Sequence, residues 1–452
     1  AKLVVLATNK FAILDPLGMG IEMEAGKPGW NDAMNGLPGL FGSEMPSAYE
    51  AHEIVDFVGS AADEFGRDTA LPEEVSDLLV SIGKQLDRLK AGTIGDFEYW
   101  DMVHDSLEAY RTRTEATFSG NTVAWSKSEL GKATGVFGKM LDRMDQGIKR
   151  ALTYAPDDGH KISPTYFTFT VSDYQLAGAL SARGLPTIEV KGYSEPEALP
   201  LFLEGPTRHL KTLKNAPKED KAAVYAAVAA SDLHDKELKM YKVSASLVGQ
   251  PMEVGRMMAF SPGWLENESV WLHMSYKWYL ELLRAGLYKE FFDEILTGVV
   301  CFMDTQVSGR SPLEASSFIV SSAFPDKALH GSGFLARLSG TTAEFLSMWN
   351  HMMFGPKPFT TDESGELQLA LKPIFAAWMW RDDATLLTKF LGTIDLTYAI
   401  PTAKNTWEAE VKGYVLTADD GSEEHVSGAV VGMPHALDIR NKKYKTIAVT
   451  LE

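Results

Sequence analysis

The stretch LPEEVSDLLVSIGKQLDRLKAG, Leu71 to Gly92, decides how most of the chain is read. Its apolar residues Val75, Leu78, Leu79, Ile82, Leu86 and Leu89 fall three and four apart, which places them on one stripe of an α-helix with polar residues on the other face. Pro72 stands near the start and Gly92 just past the end, the positions that suit a residue without an amide proton and one without a side chain. Working outward, the same period runs from about Ser47 to Ala155. It resumes from Glu266 to Ala285, closed by Arg284 and Gly286, then from Tyr288 to Val307 and from Thr342 to Phe354. Between these blocks, residues 161–250 read differently. The alternating TYFTFTV of Thr165 to Val171 predicts a strand, followed by turns and an Ala-rich charged segment, so this part is expected to be an inserted α/β excursion.

After FGPKPF the period changes from helical to two. ELQLALKPIFAAWMW, LLTKFLGTIDLTYAIP, TWEAEVKGYVLTADDGS and YKTIAVTLE alternate, with Trp407, Ala409 and Val411 on one face, Ile447, Val449 and Leu451 on another, and DDGS as a turn. The expected fold is therefore mainly α with a β domain. Paired long helices ahead of this region suggest an (α/α) barrel or toroid over residues 1–354, with residues 355–452 as an appended β-sandwich.

With 452 residues, 45% of them hydrophobic and 10% aromatic, the chain can bury a large core. It carries 43 basic and 61 acidic residues, net −18, without a basic run, which argues against a nucleic-acid partner. No apolar run reaches the length of a membrane span, and none is expected to anchor the chain to a membrane. Cys301 is the single cysteine, which excludes an internal disulfide framework, fits a reducing, cytoplasmic setting, and is expected as a small core residue. The dinucleotide glycine fingerprint, the GxxxxGK[ST] loop, HExxH and close Cys/His clusters are missing from the sequence, so neither a nucleotide cofactor nor a metal is expected.

Three stretches carry candidate chemistry. In GKPGWNDAMNGLPGLFG, Gly26 to Gly42, a lone carboxylate, Asp32, follows Trp30 and Asn31, and glycines 26, 29 and 36 let the backbone turn sharply and approach a ligand. An aromatic ring beside an acid suits a sugar site, the ring covering a pyranose face and the acid supplying a proton to the leaving oxygen. Such an acid must hold its proton, and burial against Trp30 is expected to provide for that. A structural turn in which Asp32 bonds nearby amides is the alternative. In SPGWLENESVWLHMSYKWYLELL, His273 lies among Trp271, Tyr276, Trp278 and Tyr279, as an anion ligand or as a core histidine. In HGSGFLARLSGTTAEFLSMW, Thr341 and Glu344 have capping-box spacing, so Ser339, Gly340 and Thr341, with Arg337 nearby, form either a phosphate seat at a helix end or a plain cap.

Taken in order, the WNDAMN loop, ENESVWLH, LSGTTAEFLSMW and the C-terminal β region resemble the inverting glycoside phosphorylases of glycoside hydrolase family 94. GKPGWNDAMNGLPGLFGS, GRSPLEASSFIVSSAFPD and ARLSGTTAEF are most similar to the 1,2-β-oligoglucan phosphorylases of that family. The resemblance implies Asp32 as general acid and Trp30 as part of the donor-sugar subsite, with Asn31 and Glu266 also binding substrate. It implies His273, Ser339, Gly340 and Thr341 as phosphate ligands, Ser339 standing where the family has Thr. The implied reaction is phosphorolysis of a β-1,2-linked glucooligosaccharide to α-glucose 1-phosphate, with inorganic phosphate as co-substrate and no other cofactor. Inverting hydrolysis, cellobiose-type phosphorolysis and carbohydrate binding without turnover are the alternatives. Two departures stand out: Leu265 replaces the Lys that precedes Glu-Asn in cellobiose-type enzymes, and no phosphate-contacting Gln is evident near SSFIVSS. Family members carry an N-terminal sandwich and the first barrel helices ahead of the acid loop, so a complementary N-terminal chain or segment is an expected partner. A homodimer is a further expectation.

Overall fold

The computed structural model describes residues 1–25, 29–157, 159, 161–312, 314, 316–336 and 338–452. Gly26 and Arg337, both named above, lie outside the described residues. About 43% of the chain is helix and 21% strand, arranged as several sheets with no closed barrel among the described residues. The chain divides into two compact units, Ala1–Trp278 with Met303–Ala336, and Tyr279–Phe302 with Arg337–Glu452.

In the first unit the helices Lys2–Ala12, Met45–Phe65, Glu73–Lys90, Asp96–Thr114 and Val136–Leu152 bury their apolar stripes against one another. Val75, Leu78, Leu79, Ile82 and Leu86 are buried, with Leu89 packed at the edge. Glu73 follows Pro72 as the first helical residue, and Gly92, at φ 68°, turns the chain away after Lys90. A second core gathers Ala33, Met34 and Leu37 of the acid loop with Tyr166, Phe202, Leu247, Val254 and Met257. The excursion contains the strand Tyr166–Thr168, a long hairpin Val171–Leu180/Pro186–Tyr193, and the helices Glu204–Thr212 and Lys218–Ala230.

The helix expected from Glu266 starts instead at Leu272 and runs to Arg284. Leu265 at φ 49° and Glu268 at φ 57° are left-handed, which a right-handed helix does not admit. The turn is held by a partly buried Lys242–Glu268 ion pair at 3.0 Å and by the Asn267 side-chain amide donating to the Phe260 carbonyl at 2.8 Å. Val270–Trp271 then joins Ser316–Ile319 and Gly333–Ala336 in a three-stranded antiparallel sheet.

In the second unit the helix expected over Tyr288 to Val307 ends at Gly298, where the extended Val299 breaks the ladder. A short 3-10 turn Val300–Phe302 follows, and Cys301 is exposed on it, so the expectation of a core thiol is wrong. The C-terminal sheet has five strands, Thr385–Phe390, Ile394–Ala399, Tyr444–Leu451, Val411–Ala418 and Glu423–Ser427, in that spatial order. Only the Ile394–Ala399/Tyr444–Leu451 pair is parallel. Ile447, Val449 and Leu451 are buried, and Gly421 at φ 85° turns the hairpin at DDGS. This region is not all β, since His435–Arg440 is a short helix. Of the expected strand Glu366 to Trp380 only Leu367–Leu369 is a strand, and beyond it the Ala370, Lys372 and Ile374 amides donate to the Pro358, Phe354 and Met352 carbonyls.

Candidate functional site

The acid loop is built from two 3-10 turns, Asp32–Met34 and Leu37–Leu40. Asn31 is buried and caps the first by accepting the Ala33 amide at 3.3 Å, leaving its own amide nitrogen without a partner among the described residues. Gly29 and Gly36 pack closely within the protein. Gly36 lies against the backbone of Glu253, its amide donating to Val254 at 3.1 Å, and a Cβ there would collide with the Glu253 carbonyl. Gly29 packs in the same way on the buried carboxylate of Glu44.

Asp32 is not buried against Trp30, as was expected. Its side chain is 62% exposed, because Ala33, Met34 and Leu37 point inward and turn it out. It accepts from the Arg256 guanidinium at 2.9 Å, and the same nitrogen reaches Glu266 at 3.3 Å. Glu266 is 10% exposed, so the left-handed turn around it presents an inward carboxylate beside an outward one across a single cation. Arg256 is placed by the Asn35 side chain, which accepts its amide at 3.1 Å, and by Gly255, whose φ of 144° lets it pass under Ala33 and Asn35.

Trp30 faces the other way. Its indole N–H donates to Glu204, and its ring meets the His273 ring edge-on at 6.2 Å and 71°. Glu204 opens the helix Glu204–Thr212 and is buried, with Arg208 one turn on at 3.5 Å. Arg208 also donates to Glu50 at 2.8 Å. Burial pushes the Glu204 carboxyl above the ordinary carboxylate range against the charges of Lys277 and Arg208 and the Trp30 hydrogen bond. Burial likewise raises Glu44, against a hydrogen bond from Ser47 and with the charge of Glu204 adding. His273 is half-buried and pushed down to about 4, first by burial and then by the charges of Lys277 and Arg208. The imidazole is therefore neutral at pH 7, with two fixed cations close to it.

The loop, Trp30, Asn31, Asp32, Glu266 and His273 thus belong to one region of the first unit. Ser339, Gly340 and Thr341 belong to the second unit, where they are the first three residues of the helix Ser339–Phe354. The expected capping box is not formed: the helix starts ahead of Thr341, at Ser339, with no side-chain cap. Ser339 is exposed, Gly340 half-buried, and the buried Thr341 hydroxyl has no partner among the described residues. A cavity of about 690 Å³ in the first unit, lined among others by Tyr154, Asp157, Ser231, Ser246 and Gln250, includes none of the sequence-predicted residues.

Sequence reasoning missed Arg256, Glu204, Arg208 and Lys277. Two signals were present: Glu204 and Arg208 are four apart in LEGPTR, and Lys277 is four beyond His273 in HMSYK, in each case one helical turn on the same face. No family model matches the chain, and no curated protein matches it. Among the described residues no helix is long and apolar enough to cross a membrane.

Proposed function

We propose that this chain is the catalytic portion of an inverting glycoside phosphorylase acting on β-1,2-linked glucooligosaccharides. The observation that carries the reading is a loop that presents an exposed acid, Asp32, and two residues before it Trp30, whose ring meets His273 edge-on at 6.2 Å. A phosphorylase needs one acid and a held anion, because phosphate itself is the nucleophile. Sugar binding displaces Arg256 from Asp32, which takes up a proton from solvent and passes it to the leaving glycosidic oxygen. A phosphate oxygen, held by His273 with Arg208 and Lys277, forms the new bond at the anomeric carbon as the old C–O bond breaks. α-Glucose 1-phosphate and a shortened glucan then leave. Asn31 and Glu266 bind sugar hydroxyls.

On this reading the helical region is part of an (α/α)6 barrel, the C-terminal sheet is half of a sandwich, and a complementary N-terminal segment completes a cytoplasmic enzyme that pairs as a homodimer. The test is release of glucose 1-phosphate from a β-1,2-glucooligosaccharide with and without phosphate. Strict phosphate dependence, with a loss of about 10²–10⁴ in rate for Asp32→Asn, is expected. Phosphate-independent sugar release, or an active Asp32→Asn variant, would overturn the reading.

A further inference from the structure

Nine residues beyond Asp32 the acid loop ends in Phe41, a bulky residue held at φ 48° and 46% exposed. A phenylalanine in the left-handed region is uncommon and points to a place where the surroundings hold a side chain for a purpose. Phe41 is one wall of a cavity of about 170 Å³, with Trp100 of the helix Asp96–Thr114, and Phe169 and Tyr193 from the two roots of the long hairpin. Tyr193 is the hub: its ring centroid lies 5.4 Å from Phe41, 5.7 Å from Trp100 and 5.8 Å from Phe169. The interplanar angles of 59°, 78° and 67° set these rings around the space as walls and do not stack them on one another.

The polar wall is Glu22, one of whose oxygens accepts the Trp100 indole N–H at 2.5 Å and the other bonds to His104 at 2.9 Å. Each oxygen keeps lone-pair capacity for a further donor. A second cavity, of about 320 Å³, shares Phe41 and Phe169 and continues along Thr168, Thr170 and Gln250. Aromatic walls with a half-buried carboxylate are the chemistry that takes a pyranose, whose C–H face packs on rings while its hydroxyls donate to the acid.

We propose that the Phe41–Trp100–Phe169–Tyr193 cleft is a subsite for a sugar residue of the oligosaccharide away from the bond that is cut, with Glu22 accepting its hydroxyls. This rests on the glucan-phosphorylase reading above. It makes Phe41, at the far end of the acid loop, a residue that selects for chain length.

The test is calorimetric titration of the intact chain with a β-1,2-linked glucose trisaccharide and, separately, with α-glucose 1-phosphate, which occupies the cleavage site alone. Phe41→Ala is expected to weaken the trisaccharide about tenfold and leave glucose 1-phosphate unchanged. Phe41→Gly, which removes the ring and relieves the backbone, should do the same with the fold intact, and Glu22→Gln should weaken the trisaccharide only. No loss on the trisaccharide, or an equal loss on both ligands, overturns the subsite while the phosphorylase reading stands. A wild-type chain that binds glucose 1-phosphate and not the trisaccharide also overturns it. A wild-type chain that binds neither ligand refutes both readings.

Discussion

Replacing Arg256 by methionine keeps most of the side-chain volume and removes the charge that Asp32 and Glu266 share. The two halves of that bridge differ in setting. Asp32 is 62% exposed and Arg256 49%, so their pair is solvated, screened by salt and worth about 0.2–1 kcal/mol. Glu266 is only 10% exposed, and a hydrogen bond to a buried charged group is worth about 1.5–3 kcal/mol. Arg256→Met crossed with Asp32→Asn, and separately with Glu266→Gln, gives two coupling energies from urea unfolding of the intact chain followed by tryptophan fluorescence. The Glu266 coupling is expected to be the larger and to survive added salt. The Asp32 coupling should fade between low salt and about 1 M, where the Debye length is near 3 Å. An Asp32 coupling equal to or above that of Glu266 would refute the placement of one carboxylate outside and the other inside.

The remaining predictions concern titration and the loop itself. His273 should titrate near 4 by proton–carbon NMR; because its folded value lies below the ordinary 6.5, the stability it contributes is complete above pH 6.5 and lost as pH falls through about 4. A midpoint at the ordinary value would show that burial and the two cations do not act on it. Glu44 is raised above its ordinary 4.5, so its contribution to stability is complete below that pH and is lost as pH rises through the folded value. Glu44→Gln should therefore gain stability relative to wild type between pH 4 and 7, and parallel pH curves would contradict this. Gly36→Ala puts a Cβ into the Glu253 carbonyl and should cost about 1–3 kcal/mol in a denaturation experiment, an unchanged midpoint being the contrary result.

Local periodicity carried the regular elements. The 3.6-residue stripe from Val75 to Leu86 became a buried helix face, and the alternation at Ile447, Val449 and Leu451 became a buried sheet face. The reading failed where a distant partner outweighed the local pattern. The Glu266 to Trp271 stretch looks helical by itself, but Lys242 pairing with Glu268 holds it in a left-handed turn that aims Glu266 at Arg256. A one-turn helix at His435–Arg440 is too short to leave a periodic signal.

The candidate site divides along the same line. Residue types by themselves singled out Trp30, Asp32 and His273, because an acid beside an aromatic ring and a histidine on an aromatic helix are visible in the sequence, whereas Glu266 entered only through the family resemblance. Only the tertiary structure decided what each does. It turned Asp32 outward onto Arg256, 224 residues away, and tied Trp30 to Glu204, 174 residues away. It also put the charges of Arg208 and Lys277 beside His273. Charge pairing and burial depend on distance in space, and a carboxylate's surroundings are assembled from segments whose separation along the chain leaves no periodic trace.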